Sequence, residues 1–406
     1  MKRRIVQIIT VCLVLSLAVL CVPGSYAKYA TTNKLVVSVK MAEVKKFFNT
    51  TSTSTLNSHM DSATAPAAQN FTIEKSGYYV IVAKGGNGAF GYKNLSRSRE
   101  YYAGGTGGTV YGVYYLNQND VIKAYPGGYG VSAGEVQSTL RVGNGGLNAL
   151  SDSRFKGGKG SKDVVSSGSL ADLFSAAMAS GGGGAATLVF LNGTSDSNTI
   201  MIAGGGGASG SWDSTSLLGT VASGIGGNGG SIGNTNTPVS TPVAGTVYQG
   251  SNGTGAKFEG KYTNDWWTQT KTKTIITYGT GGYITGGTPG YSDYITFTVS
   301  SVLYAAADAG GAYNNGCGGN CNDFGGGGGG GYCGGGGGAG TSIKHADGGG
   351  GGGSSFRATT VNGKTVKDFT GNLSDVINKA SGLPAQSGAK NFGDGYVIVM
   401  YVGEEY

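Results

Sequence analysis

Between Gly310 and Gly353 the sequence reads GGAYNNGCGGNCNDFGGGGGGGYCGGGGGAGTSIKHADGGGGGG, with 24 glycines in 44 residues. Unbroken runs occupy Gly325–Gly331, Gly334–Gly338 and Gly348–Gly353. A flexible linker is the first reading, because a glycine-rich chain has the most freedom to lose on folding. Linkers, however, use polar spacers such as serine, and these runs are nearly pure glycine broken by single aromatics and cysteines. Glycine can instead form a polyproline-II helix, with three residues per turn, a rise of about 3.1 Å and no internal hydrogen bonds. Its N–H and C=O groups are then free to bond neighbours, which can pack on every side only where no Cβ intervenes. Seven glycines would make a rod of roughly 22 Å. The expectation is an ordered lattice of several such rods.

Composition agrees that the chain folds. Glycine contributes 81 of 406 residues, far above the roughly 7 % of average proteins. There is no G-X-Y period and only 7 prolines, which excludes collagen. Hydrophobic residues are 38 %, yet 24 tyrosines and 13 phenylalanines supply core material, unlike a disordered chain. Net charge is +7, and removal of Lys2, Arg3 and Arg4 would leave +4 with no basic cluster. Nucleic acid is therefore not an expected partner.

Residues 1–27 read as a signal peptide. Lys2-Arg-Arg4 is a basic start, Ile5–Leu20 an apolar core, and Ser25-Tyr26-Ala27 a small-x-small cleavage site. The apolar segment is short for a membrane span, so any membrane contact would come only from this segment if it were not cleaved. Tyr26-Ala-Lys-Tyr-Ala-Thr-Thr32 resembles the cleavage region of exported proteins of Gram-positive bacteria. The expected location is outside the cell, secreted or on its surface.

Residues 28–68 read as an N-terminal strand, Lys34–Lys40, followed by a Thr/Ser/Ala-rich linker, and residues 69–406 as a glycine-rich β domain. Strands are predicted at Tyr78–Ala83, Val110–Leu116, Val121–Ala124, Thr187–Phe190, Thr199–Ala203, Thr274–Tyr278, Ile295–Val299 and Tyr396–Val402. Their irregular glycine punctuation favours an all-β antiparallel sandwich over βαβ units. Helices are predicted only at Ser169–Ala179 and Leu373–Ala380. Further glycine runs, Gly181–Gly184, Gly204–Gly207 and Gly226–Gly230 (the last broken by Asn228), abut or follow predicted strands.

These landmarks resemble a glycine-rich domain found in bacterial surface proteins and in the extracellular region of the anaplastic lymphoma and leukocyte tyrosine kinase receptors. The match is carried by Phe71-Thr-Ile73 with Ser76-Gly77, the YYVIVAKGGNG segment, Gly104–Gly108, Leu116–Gly128 and Ile200–Gly207. Gly325–Gly338, Gly348–Phe356 and Gly393–Val399 are its most specific pieces. The resemblance implies a jelly-roll-like sandwich with glycine polyproline-II helices inserted between strands, and participation in binding a protein ligand outside the cell. It brings no kinase here, because the HRD segment of a kinase catalytic loop is missing from the sequence. It places no ligand-contacting residue by motif.

Chemistry-bearing residues are few. Cys317, Cys321 and Cys333 form a candidate disulfide set, one bridge with one thiol left over, and three pairings are open. Free thiols, or a zinc site completed by His345, are the competing readings; the C-x3-C-x11-C-x11-H spacing matches no tight knuckle. Gly229–Gly233 fits G-x-S-x-G but lacks a strand–turn–helix setting. No catalytic residue, metal site or cofactor is assigned, and a non-enzymatic protein is expected. The candidate recognition residues are aromatic: Trp266, Trp267, Tyr283, Tyr291 and Tyr294, set among glycines, threonines and lysines. Such side chains offer large contact area at low entropic cost; capping of the core is the competing use. The function expected is binding or adhesion through a protein or glycan ligand, with a structural role in a surface layer or matrix as the alternative.

Overall fold

The computed structural model describes residues 44–47, 65–95, 98–102, 104–132, 134–136, 139–141, 143–150, 153–160, 178–210, 226–231, 245–253, 257–263, 270–276, 278–283, 285–289, 291–295, 302–311, 316–320, 325–339, 348–380 and 393–406. Val44–Tyr406 forms one compact unit. Its first strands are β1 (Val44–Phe47), β2 (Gln69–Thr72), β3 (Gly77–Lys84), β4 (Gly91–Leu95), β5 (Ser98–Tyr102), β6 (Thr109–Leu116) and β7 (Val121–Tyr125). There follow β8 (Gly134–Val136), β9 (Thr139–Arg141), β10 (Met178–Ala179), β11 (Thr187–Leu191), β12 (Thr199–Ala203), β13 (Gly245–Tyr248) and β14 (Lys257–Thr263). The last are β15 (Thr270–Ile276), β16 (Tyr291–Ile295), β17 (Val302–Ala306), β18 (Ser355–Ala358), β19 (Thr360–Val361), β20 (Lys364–Thr365) and β21 (Tyr396–Gly403), with one helix, α1 (Leu373–Lys379), before β21.

Pairing among these strands is antiparallel, as the sequence predicts of an all-β chain. A four-stranded sheet runs β1-β21-β3-β6 and a six-stranded sheet runs β13-β18-β12-β11-β7-β2. They face each other across a common core. Ile81, Val110, Tyr114, Val397 and Val399 come from the first, and Ile122, Leu188, Phe190, Met201 and Phe356 from the second. The other face of β3 is buried as well. Val80 and Val82 pack with Val113, Ile398 and Phe369 beneath Val376 of α1. A strand covered on both faces has no need of a polar side, which is why Tyr78–Ala83 reads as a continuous apolar run.

Helix α1 begins where the side chain of Asn372 accepts the N–H of Ser374 at 3.0 Å, satisfying one of the free donors of the first turn. Asp375 in the first turn and Lys379 in the last suit its dipole. The other predicted helix meets a different fate at its end: Met178 and Ala179 form β10, paired to Lys93 and Tyr92 of β4. Tertiary pairing overrides helical propensity there; residues 161–177 lie outside the described set. So do the predicted strand Lys34–Lys40 and most of Ile295–Val299, while the strand predicted at Thr274–Tyr278 lies earlier, at Thr270–Ile276. Within the segment read as N-terminal strand and linker, Val44–Phe47 joins the first sheet beside β21.

The glycine runs pack against one another at one end of the two sheets. They leave β3 at Gly85, enter β6 from Gly108, leave β12 at Gly204 and enter β18 from Gly353-Ser354. The opposite end carries tight turns, at Asn117–Asp120 between β6 and β7 and at Asn192–Asn198 between β11 and β12.

Every residue from Gly325 to Ala339 and from Gly348 to Phe356 is buried. The backbone donors are accounted for as burial requires. Gly326 and Gly329 donate to Gly348 and Gly351, Gly327 and Gly330 to Gly181 and Gly184, and Gly328 and Gly331 to Gly319 and Gly316, at 2.8–3.1 Å. The partner run therefore changes at each residue and returns at every third. Gly348, Gly351 and Ser354 repeat the pattern toward Ala339, Gly336 and Cys333, and Gly350 and Gly353 toward Ala208 and Gly205.

Glycine is required here by space, since positive φ among described glycines occurs only at Gly77, Gly363 and Gly403. A Cβ on Gly328 would lie 2.1 Å from the Gly335 oxygen, and one on Gly183 2.0 Å from that of Gly328.

Candidate functional site

The lattice carries excursions. Chain leaves it, forms strands of its own, and comes back beside the point of departure. Gly85 and Gly88 donate to Gly108 and Gly105, so the two feet of the β4–β5 hairpin are joined before the hairpin starts. Gly128 and Val131 donate to Leu147 and Asn144, fixing the feet of β8–β9. Gly250 and Gly253 donate to Gly282 and Gly279, fixing the feet of β14–β15. β14 to β17 together make a separate four-stranded sheet.

The candidate recognition residues distribute unequally over this arrangement. Trp266 and Trp267 fall in the connection between β14 and β15, residues 264–269, outside the described set. Tyr291 and Tyr294 lie on β16 of the same sheet, opposite Ala306 and Leu303. Tyr283 is elsewhere: it is half-buried against the main core, and its carbonyl accepts the hydroxyl of Ser354 at 2.9 Å. The connection bearing the tryptophans and the β16 tyrosines thus belong to one sheet but to successive excursions, the second closed by Gly310 donating to Gly287, and Tyr283 borders the lattice.

Cys333 is fully buried and Cys317 half-buried, and both are free thiols. Burial pushes the Cys333 thiol up to about 11, against the opposing hydrogen bond from Ser354. Their runs touch: Gly311 accepts from Gly334 and donates to Cys317. Cys321, His59 and His345 lie outside the described residues, among which no three His, Cys, Asp or Glu side chains gather as a metal site would need. Among the described residues no helix is long and apolar enough to cross a membrane.

Sequence reading missed a role for asparagine. Within the lattice the amide oxygen of an asparagine repeatedly replaces a backbone carbonyl. Asn228 accepts from Thr106 N–H at 2.8 Å, Asn252 from Gly281 at 3.0 Å and Asn320 from Lys159 at 2.9 Å. Asn87, 2 % exposed, accepts from Gly107 at 2.9 Å and from the ammonium of Lys84 at 3.1 Å. A GGNG segment, seen at 85–88 and 226–229 in different frames of a glycine run, is the signal that could have revealed it.

A second arrangement gathers at the turn end. Asp120, 8 % exposed, accepts the Asn192 amide at 2.8 Å on one oxygen. Its other oxygen accepts the Asn362 amide and the Asn117 N–H, both at 2.7 Å. Three turns from different parts of the chain meet on this one carboxylate.

Comparison with models of protein families gives no match, and no curated protein is significantly similar to the chain.

Proposed function

We propose that the chain is a secreted or cell-surface binding protein without enzymatic activity, exported by a Gram-positive bacterium, whose glycine lattice is a rigid platform for recognition loops. The observation that carries this reading is the excursion holding Trp266 and Trp267, whose feet at Gly250–Gly253 and Gly279–Gly282 are hydrogen-bonded to each other within the lattice. Rigid feet lower the ordering cost of binding, and tryptophan is a residue type well suited to protein or glycan surfaces. On this reading the glycine runs are polyproline-II helices inserted between the strands of a jelly-roll-like sandwich. The return to the same partner at every third residue agrees with three residues per turn.

A glycan and host-protein array probed with residues 28–406, beside a Trp266→Ala/Trp267→Ala variant of equal thermal stability, tests the proposal. Saturable binding lost in the variant is the expected outcome. Self-assembly with no saturable ligand would replace it with the structural role in a surface layer or matrix. Hydrogen exchange tests the platform separately: the amides of Gly326–Gly331 and Gly350–Gly353 should be among the slowest, and immediate exchange there would sink it.

A further inference from the structure

Two of the asparagines held by Asp120, Asn192 and Asn362, are each followed by glycine. We infer that these two positions are sites of spontaneous deamidation, and that Asp120 makes the modification disruptive by facing both.

The chemistry needs the backbone nitrogen of the following residue to lose its proton and attack Cγ of the asparagine. Ammonia leaves from Nδ2, and water opens the resulting succinimide to aspartate or isoaspartate. Glycine presents the least hindered nitrogen for that attack. Whether it is available depends on the hydrogen bond it makes. After three lattice asparagines the nitrogen is engaged: following Asn87, Asn228 and Asn252 the glycine N–H donates to Gly105, Thr106 and Gly279, at 2.8, 2.9 and 3.0 Å. After Asn144, exposed at the foot of β8–β9, Gly145 by contrast donates to no backbone carbonyl among the described residues. At the turn end it is not. Among the described residues neither Gly193 nor Gly363 donates its N–H to a backbone carbonyl. Gly363 is exposed, and a Cβ there would meet nothing within 4 Å.

What restrains the turn-end asparagines is their side chains, held by Asp120 through Nδ2, the nitrogen that departs. Reaction there waits only for a local opening of an exposed turn, whereas in the lattice it waits for several buried runs to separate. The product replaces an amide donor by a carboxylate. Two negative oxygens then stand where a hydrogen bond of 2.7 or 2.8 Å had been, which repels the turn from Asp120. Isoaspartate also lengthens the backbone of a two-residue hairpin turn between β19 and β20. Deamidation would therefore loosen the turn end of the sandwich and leave the lattice end closed.

The experiment is peptide mapping of the intact protein aged at mildly alkaline pH, with isoaspartate and aspartate counted at each site. Asn362 and Asn192 should be converted about tenfold or more beyond Asn87, Asn228 and Asn252. Equal conversion at these five, or faster conversion at Asn87, Asn228 or Asn252, overturns the proposal. The role of Asp120 is read from a double-mutant cycle by thermal melting. Asn362→Asp should lower the midpoint, and by less in an Asp120→Asn background, where the facing charge is gone. Strict additivity would remove Asp120 from the proposal. If Asp120→Asn fails to fold, the salt dependence of Asn362→Asp decides: screening should recover part of its loss, and no recovery counts against the charge contact.

Discussion

The ammonium of Lys84 donates to the side-chain oxygen of Asn87 at 3.1 Å, in a place where the lysine is only 3 % exposed. Burial lowers its pKa from 10.5 to about 8. Below pH 8 the proton stays on in both folded and unfolded chain, and the folded state carries the full cost of a buried cation. Between about 8 and 10.5 the unfolded chain binds more protons than the folded one, so stability rises with pH across that window. Lys84→Met should stabilise the protein at neutral pH by up to about 3 kcal/mol and flatten that rise. Asn87 keeps the Gly107 N–H as a partner. Urea melts of both proteins at pH 7 and pH 10 measure the difference, and an unchanged pH slope would refute the assignment.

Two glycine-to-alanine changes should differ sharply. Gly328→Ala places a methyl 2.1 Å from the Gly335 oxygen with backbone on every side. It should cost about 3 kcal/mol or more, from overpacking and broken hydrogen bonds. Gly363→Ala meets open space at φ +71°, so only left-handed strain applies, about 1 kcal/mol. Equal losses in thermal melts would mean that the runs do not touch as described.

The ring of Tyr332 is stacked on Phe356 of β18, with centroids 5.3 Å apart and planes 16° from parallel. It sits at the joint between lattice and core, 2 % exposed. Tyr332→Ala should destabilise by about 3–5 kcal/mol, whereas Tyr332→Phe should cost far less. Chemical denaturation of the two variants separates packing from the hydroxyl.

Thiol labelling should discriminate the two described cysteines. Iodoacetamide at neutral pH is expected to reach Cys317 well before Cys333, which is fully buried with its thiol pushed up to about 11. Urea should abolish the difference. Mass spectrometry of the labelled peptides reports both rates, and early labelling of Cys333 in the native protein would contradict its burial.

Strands such as β3, β6, β12 and β21 were apparent in the sequence, because β-branched and aromatic runs bounded by glycine have few other uses. So was α1, predicted at Leu373–Ala380 and found at Leu373–Lys379. The hairpin tips were harder. Met178 and Ala179 look helical in isolation, and only their pairing with Tyr92 and Lys93, far away in sequence, makes them a strand. The roles of Asn87, Asn228 and Asn252 were hidden for a related reason. A glycine run shows that neighbours approach closely but does not say which run approaches which, and the lone N–H that each asparagine satisfies belongs to a distant one. Asp120 is marked locally only by its own turn, through Asn117, while Asn192 and Asn362 reach it from two distant turns.

The chain that leaves at Gly253 and returns at Gly279 contributes little to holding its own ends together, because Gly250 and Gly282 already do so from inside the lattice. Closing a longer loop costs only slightly more entropy than closing a short one. The span between those two glycines is thus a socket: its length and content can be rewritten, by evolution or by a designer grafting a foreign hairpin, while the interior stays untouched.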